Sequence, residues 1–184
     1  MQRNFTHLNP RRHLLVTLIS LIFLSCVYFN TFYNAETSFK KAMKIIEESP
    51  ILDNEDLPSQ AKKLLGESIE NSKLVLREFP DSKYVDDAVF IIAKASFLRD
   101  EIAIAESHFN RLIREYPESK FHAYSEIWLA YTHFRMGMID SAQTEIKTIQ
   151  SGNPKDKEKL YLIYNVLAEI YLEKDSLQQV YENY

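Results

Sequence analysis

The chain has 184 residues, 46% of them hydrophobic, with only 3 glycines and 6 prolines. That length suits one domain with a buried core, and so little glycine argues against a turn-rich sheet protein and for long helices. The formal charge of −4 becomes −7 once Arg3, Arg11 and Arg12 are set apart with the first segment, because 19 basic residues then face 26 acidic ones. A nucleic-acid partner needs the opposite balance.

Arg11 and Arg12 precede an apolar run from Leu14 to Leu24. A charged head and roughly 7–15 apolar residues are the parts of a secretory signal peptide, whereas a membrane span needs about 20. The run closes in Phe23-Leu24-Ser25-Cys26. This resembles the bacterial lipobox, in which a small residue precedes an obligatory cysteine; Phe23 stands where that family usually has leucine. The resemblance implies a signal peptide over residues 1–25, cleavage between Ser25 and Cys26, and covalent lipid on Cys26. Several acyl chains anchor far more firmly than one. Val27, rather than an aspartate, follows the cysteine, which in that family implies the periplasmic face of the outer membrane. An uncleaved anchor helix in the inner membrane is the competing reading. Cys26 is the sole cysteine, so the chain has neither an internal disulfide nor a cysteine metal cluster to form.

After the cysteine, Asn34 to Ala42 reads as a helix, residues 49–58 as an acidic loop, and Gln60 to Phe79 as a long helix. Together they make an irregular first unit over residues 30–80. Regularity then appears. Pro80, Pro117 and Pro154 fall 37 residues apart, and Phe79-Pro80-Asp81-Ser82-Lys83 overlays Tyr116-Pro117-Glu118-Ser119-Lys120. In the same register Ala93 falls on Ala130, Phe97 on Phe134, Ala105 on Ala142, and Leu112 on Ile149. The units are 81–117, 118–154 and a partial 155–184.

Each unit reads as a helical hairpin, with helices predicted over Val85–Leu98 and Ile102–Glu115 in the first. Ala93 and Phe97 share a face, and Ala105, Phe109 and Leu112 form an i, i+4, i+7 stripe. Proline ends the second helix, and the Asp/Glu-Ser pair beyond it is suited to cap the next. Arg99-Asp100 and Met136-Gly137 mark the inner turns. In the partial unit, Ala168 and Tyr171 stand for the first-helix alanine and aromatic, and a second helix is expected before Tyr184. The end of such an array needs a polar cap. Val180, Tyr181 and Tyr184 do not supply one, so this end is expected to dock on something or to be truncated.

A small residue in the first helix, Ala-x3-Phe-type spacing and a closing proline together resemble the tetratricopeptide repeat. The fold class expected is therefore all-α, a tetratricopeptide-type helical-hairpin repeat solenoid behind an N-terminal lipoprotein signal. The Phe/Tyr-Pro-Asp/Glu-Ser-Lys-Tyr/Phe junction, with Cys26 placed just before Tyr28-Phe29-Asn30, further resembles the BamD-like outer-membrane assembly lipoproteins. That resemblance implies a lipid-anchored scaffold with protein partners, among them components of β-barrel assembly. A general periplasmic adaptor in cell-envelope or cell-division complexes is the alternative. The tetratricopeptide pattern points Asp87, Phe90 and Lys94 into a binding groove, followed by Tyr124, Ile127 and Tyr131. Phe90 and Ile127 can equally be read as packing between helices.

Signals for chemistry are missing. His7, His13, His108, His122 and His133 contain no i, i+4 zinc pair. No glycine-rich phosphate loop and no nucleophile motif occur. The expectation is a non-enzymatic protein with no metal, no cofactor beyond lipid on Cys26, no small-molecule substrate and no nucleic-acid partner.

Overall fold

The computed structural model describes residues 30–49 and 57–182, with side chains described as far as residue 175. Ser25, Cys26 and the whole 1–25 segment lie outside these residues, as do most of the acidic loop and the side chains of Val180, Tyr181 and Tyr184. The described residues form seven helices and no strand. They are α1 (residues 30–48), α2 (Ser59–Glu78), α3 (Val85–Leu98), α4 (Ile102–Glu115), α5 (His122–Arg135), α6 (Ile139–Ser151) and α7 (Lys157–Glu182). No described helix is long and apolar enough to cross a membrane.

Helices α3 and α4 run over the residues expected from the spacing, and α5 and α6 repeat them one period later. The inner turns explain this regularity. Asp100 and Gly137, 37 residues apart, have φ of 63° and 81°. A left-handed residue after a helix satisfies its last carbonyls while the chain reverses. The backbone N–H groups of Glu101 and Met138 accordingly donate to the carbonyls of Ser96 and His133.

The junction serines act differently from expectation. Neither α3 nor α5 has a side-chain cap. Instead Ser82 Oγ accepts the N–H of Tyr84 at 2.9 Å, and Ser119 Oγ accepts that of Phe121 at 3.1 Å, which tightens the turn before each helix. Asp156, at the same register position, does cap α7, accepting from the N–H groups of Glu158 and Lys159.

Consecutive helices pack on one another, and α3 also meets α5 while α5 also meets α7. Helix α3 is buried on nearly every side, from Val85 through Phe97, because α2, α4 and α5 surround it and α1 adds Phe32 and Ala42. Ala93 and Ala130 are buried at matching positions and let neighbouring helices approach closely. Phe109 fills the centre, its ring 6.3 Å from that of Phe90 and 6.4 Å from that of Trp128. Burying a side chain of this size contributes roughly 1.5–3 kcal/mol.

The partial unit is not a hairpin. Helix α7 continues to Glu182 without a turn. Lys174 stands where Asp100 and Gly137 stand, and no glycine or proline occurs from Lys155 to Glu182. The Lys174 ammonium donates instead to Asp140 Oδ1 at 2.7 Å and Gln143 Oε1 at 2.6 Å. Ala168 and Tyr171 are exposed, and the core face of α7 is Ile163, Val166, Leu167 and Ile170. Leu167, not Ala168, falls one unshifted period after Ala130.

Candidate functional site

The first helices of the units, α3 and α5, together with α7 border a groove. One part, about 680 Å³, is lined by Phe97, Trp128, Tyr131, Arg135, Asn165 and Glu169, with Lys62 and Leu57 from the other side. A second part, about 460 Å³, is lined by Phe90, Lys94, Phe121, Tyr124, Tyr161, Glu158 and Glu47. Trp128 and Leu162 line both parts.

Lys94 is the most unusual group there. Its ammonium lies 5.0 Å from the centre of the Trp128 ring and 5.9 Å from that of Phe39. Among the described residues it makes no hydrogen bond or ion pair, and Glu47 and Glu158 act on it only from a distance. Burial pushes its pKa below the ordinary lysine value, partly opposed by those two carboxylates. A ring face attracts a cation but does not satisfy the ammonium's three N–H donors.

The other five candidates are largely engaged within the protein. Asp87 is bonded to Lys120 at 2.7 Å. Burial raises the Asp87 carboxyl pKa despite that bond, while the bond raises that of Lys120. Phe90 is buried and stacked on Phe121 with ring centres 4.2 Å apart, leaving only its edge to the groove. The Tyr124 hydroxyl lies 3.1 Å from Glu158 and 3.3 Å from Asp156, and burial followed by these carboxylates pushes its pKa up to about 12. The Tyr131 hydroxyl lies 2.7 Å from both Glu169 oxygens, and burial followed by that contact raises its pKa further still. Ile127 is 1% exposed and sits in the core with Ala142, Ile146 and Ile163. It cannot touch a ligand, because α7 covers it.

A pattern joins these placements. Asp87, Phe90 and Lys94 occupy the same register as Tyr124, Ile127 and Tyr131, and all six face the next helix of their own type. Asp87 ties to Lys120 on α5's approach, and Tyr124 ties to Asp156 and Glu158 on that of α7. The positions therefore serve first to stack units, and only Lys94, Tyr124, Tyr131 and the edge of Phe90 also reach the groove. The sequence reading missed Trp128, Arg135, Tyr161 and Glu169 in the lining. Carrying the 37-residue step once more would have produced Tyr161 from Tyr124. Trp128, as the only tryptophan, was a signal of its own.

The described histidines have partners within the protein. His133 Nδ1 lies 2.7 Å from Glu145 and its Nε2 3.7 Å from Glu106, linking α4, α5 and α6. His108 Nδ1 is 2.9 Å from the Ile104 carbonyl. Among the described residues no group of three or more His, Cys, Asp or Glu side chains is arranged to hold a metal ion.

No protein-family model matches the chain, and no curated protein is significantly similar to it.

Proposed function

We propose that this chain is a non-catalytic, tetratricopeptide-type scaffold that binds a segment of a partner protein in the groove along α3, α5 and α7. The observation that carries the reading is Lys94, a half-buried ammonium set among aromatic rings that makes no hydrogen bond to any described residue. Beside it, Trp128, Phe121 and Tyr161 offer apolar faces, and Arg135 and Glu169 offer charge. Such a lining suits a peptide that presents both apolar side chains and a polar group for Lys94. Cross-linking in intact cells followed by capture of the chain identifies the partner. Lys94→Glu and Trp128→Ala are expected to lose it while keeping the helical circular-dichroism spectrum. Unchanged capture by both variants would remove the groove from the proposal.

The cellular setting rests on sequence resemblance. The lipobox at Ser25-Cys26 and the repeated Pro-Asp/Glu-Ser-Lys junction support a lipoprotein at the periplasmic face of the outer membrane, acting in β-barrel protein assembly. Mass spectrometry of the mature N-terminus is expected to find acylated Cys26, and an unmodified Met1 rules out the anchor. Depletion is expected to lower the amount of folded outer-membrane barrels; normal barrel levels would instead favour an adaptor in another envelope complex.

A further inference from the structure

Helix α7 presents the same stacking face as α3 and α5, and among the described residues no helix is stacked on it, although the Lys147 ammonium of α6 lies 5.7 Å from the centre of the Tyr171 ring. One period after Tyr124, Ile127, Tyr131 and Phe134 come Tyr161, Tyr164, Ala168 and Tyr171. Ile127 is 1% exposed under α7, whereas Tyr164, its counterpart, is 56% exposed; Tyr161 is 71% and Tyr171 45% exposed, with Leu172 beside them at 70%. Helix α1 differs: apart from Tyr33, its exposed residues are polar, among them Asn34, Lys40, Lys41, Lys44, Glu47 and Glu48. A contiguous exposed aromatic face marks an interaction surface.

The order of residues along α7 says what fits that face. Lys157, Tyr161, Tyr164, Ala168, Tyr171 and Asp175 are all exposed and follow one another at spacings of 4, 3, 4, 3 and 4. This is the seam of a helix that packs along its length on another helix. The seam complements itself when reversed. The antiparallel register that sets Lys157 opposite Asp175 also sets Tyr161 opposite Tyr171, and the large Tyr164 opposite the small Ala168. Charge and side-chain volume both match in that register. A two-fold contact demands this reciprocity, since residue i must meet j while j meets i. A head-to-tail contact would instead set the tyrosines against the lysine-rich surface of α1.

We propose that α7 is a homodimerisation helix, pairing antiparallel with α7 of a second copy through Lys157–Asp175, Tyr161–Tyr171 and Tyr164–Ala168. Tyr161 also borders the groove, whereas Lys157, Tyr164, Ala168 and Asp175 do not, so variants at those four positions test the dimer separately from the groove. The test is sedimentation equilibrium of the full chain, purified in detergent with micelles in large excess, over a range of protein concentrations. A concentration-dependent monomer–dimer equilibrium is expected. Lys157→Asp alone and Asp175→Lys alone each set two pairs of like charges opposite one another, and each is expected to weaken the dimer about tenfold. The double variant Lys157→Asp with Asp175→Lys restores opposite charges at both ends and is expected to return affinity to within about threefold of the original. Ala168→Arg, at an exposed position, is expected to abolish the dimer with an unchanged circular-dichroism spectrum. Restoration by the double variant cannot come from misfolding. The proposal is overturned by a monomer at every concentration, by a monomer that uses α7 for a different protein, by a dimer indifferent to the single charge changes, or by failure of the double variant to recover.

Discussion

Lys94 and Tyr131 occupy equivalent places one period apart, yet their environments make opposite demands on protonation. Burial lowers the Lys94 pKa and raises that of Tyr131. A base whose folded pKa lies below its unfolded value destabilises the fold while it is charged, and that penalty fades as pH rises towards the unfolded value. Lys94→Met keeps the long apolar stem and removes the charge. It is expected to raise stability by about 1 kcal/mol at neutral pH in urea unfolding while weakening partner capture. The tyrosines behave the other way. Tyr124 is raised from 10.0 to about 12. Below pH 10 its hydroxyl is protonated in both folded and unfolded chains, and its contacts with Glu158 and Asp156 contribute fully. Between pH 10 and about 12 the unfolded phenol ionises first, so stability falls as pH rises. Urea midpoints are expected to drop over that window, less steeply in the Tyr124→Phe/Tyr131→Phe variant. A phenolate absorbance titration of that variant is expected to lack the two late-ionising groups expected among the eleven tyrosines of the native chain.

The elements show what a sequence pattern conveys and where it stops. Proline spacing and alternating alanine and aromatic positions placed α3 and α4 at their observed bounds, because each pattern residue has a local cause: a blocked helix, a close approach or a filled gap. The same pattern misled at α7. Ala168 and Tyr171 matched by residue type, but the turn that makes a hairpin depends on a left-handed residue such as Asp100 or Gly137, and Lys174 replaces it. Orientation was the other limit. Residues 87, 90 and 94 are on a common face by periodicity, yet whether that face meets solvent or the next helix depends on what is stacked beyond it. Ile127 lies under α7, whereas no described helix is stacked over Tyr164. The alanine positions are testable. Ala130 is 1% exposed between packed helices, and Ala130→Leu is expected to cost about 1–3 kcal/mol in chemical denaturation through overpacking. Phe109→Ala, in the densest part of the core, is expected to cost about 3–5 kcal/mol by the same measurement.

At the scale of the molecule, successive units are tied at both ends of their helices. At the junctions Ser119 donates to Asp86 at 2.7 Å and Lys120 meets Asp87. At the inner turns Arg135 donates to Asp100 at 2.9 Å and Lys174 to Asp140. Exposed contacts of this kind add little stability singly. Their effect is geometric: with both rims fastened, the separation of α3, α5 and α7 is held whether or not the groove is filled. For a visiting chain this has a kinetic meaning. In the proposed binding reaction the groove has already given up its conformational freedom during folding, so the ordering cost at encounter falls on the bound segment. Stopped-flow traces are expected to show a single concentration-dependent phase with no slow isomerisation. Cutting a rim tie with Arg135→Ala or Ser119→Ala is expected to introduce that slow phase, the signature of a groove that must first find its shape.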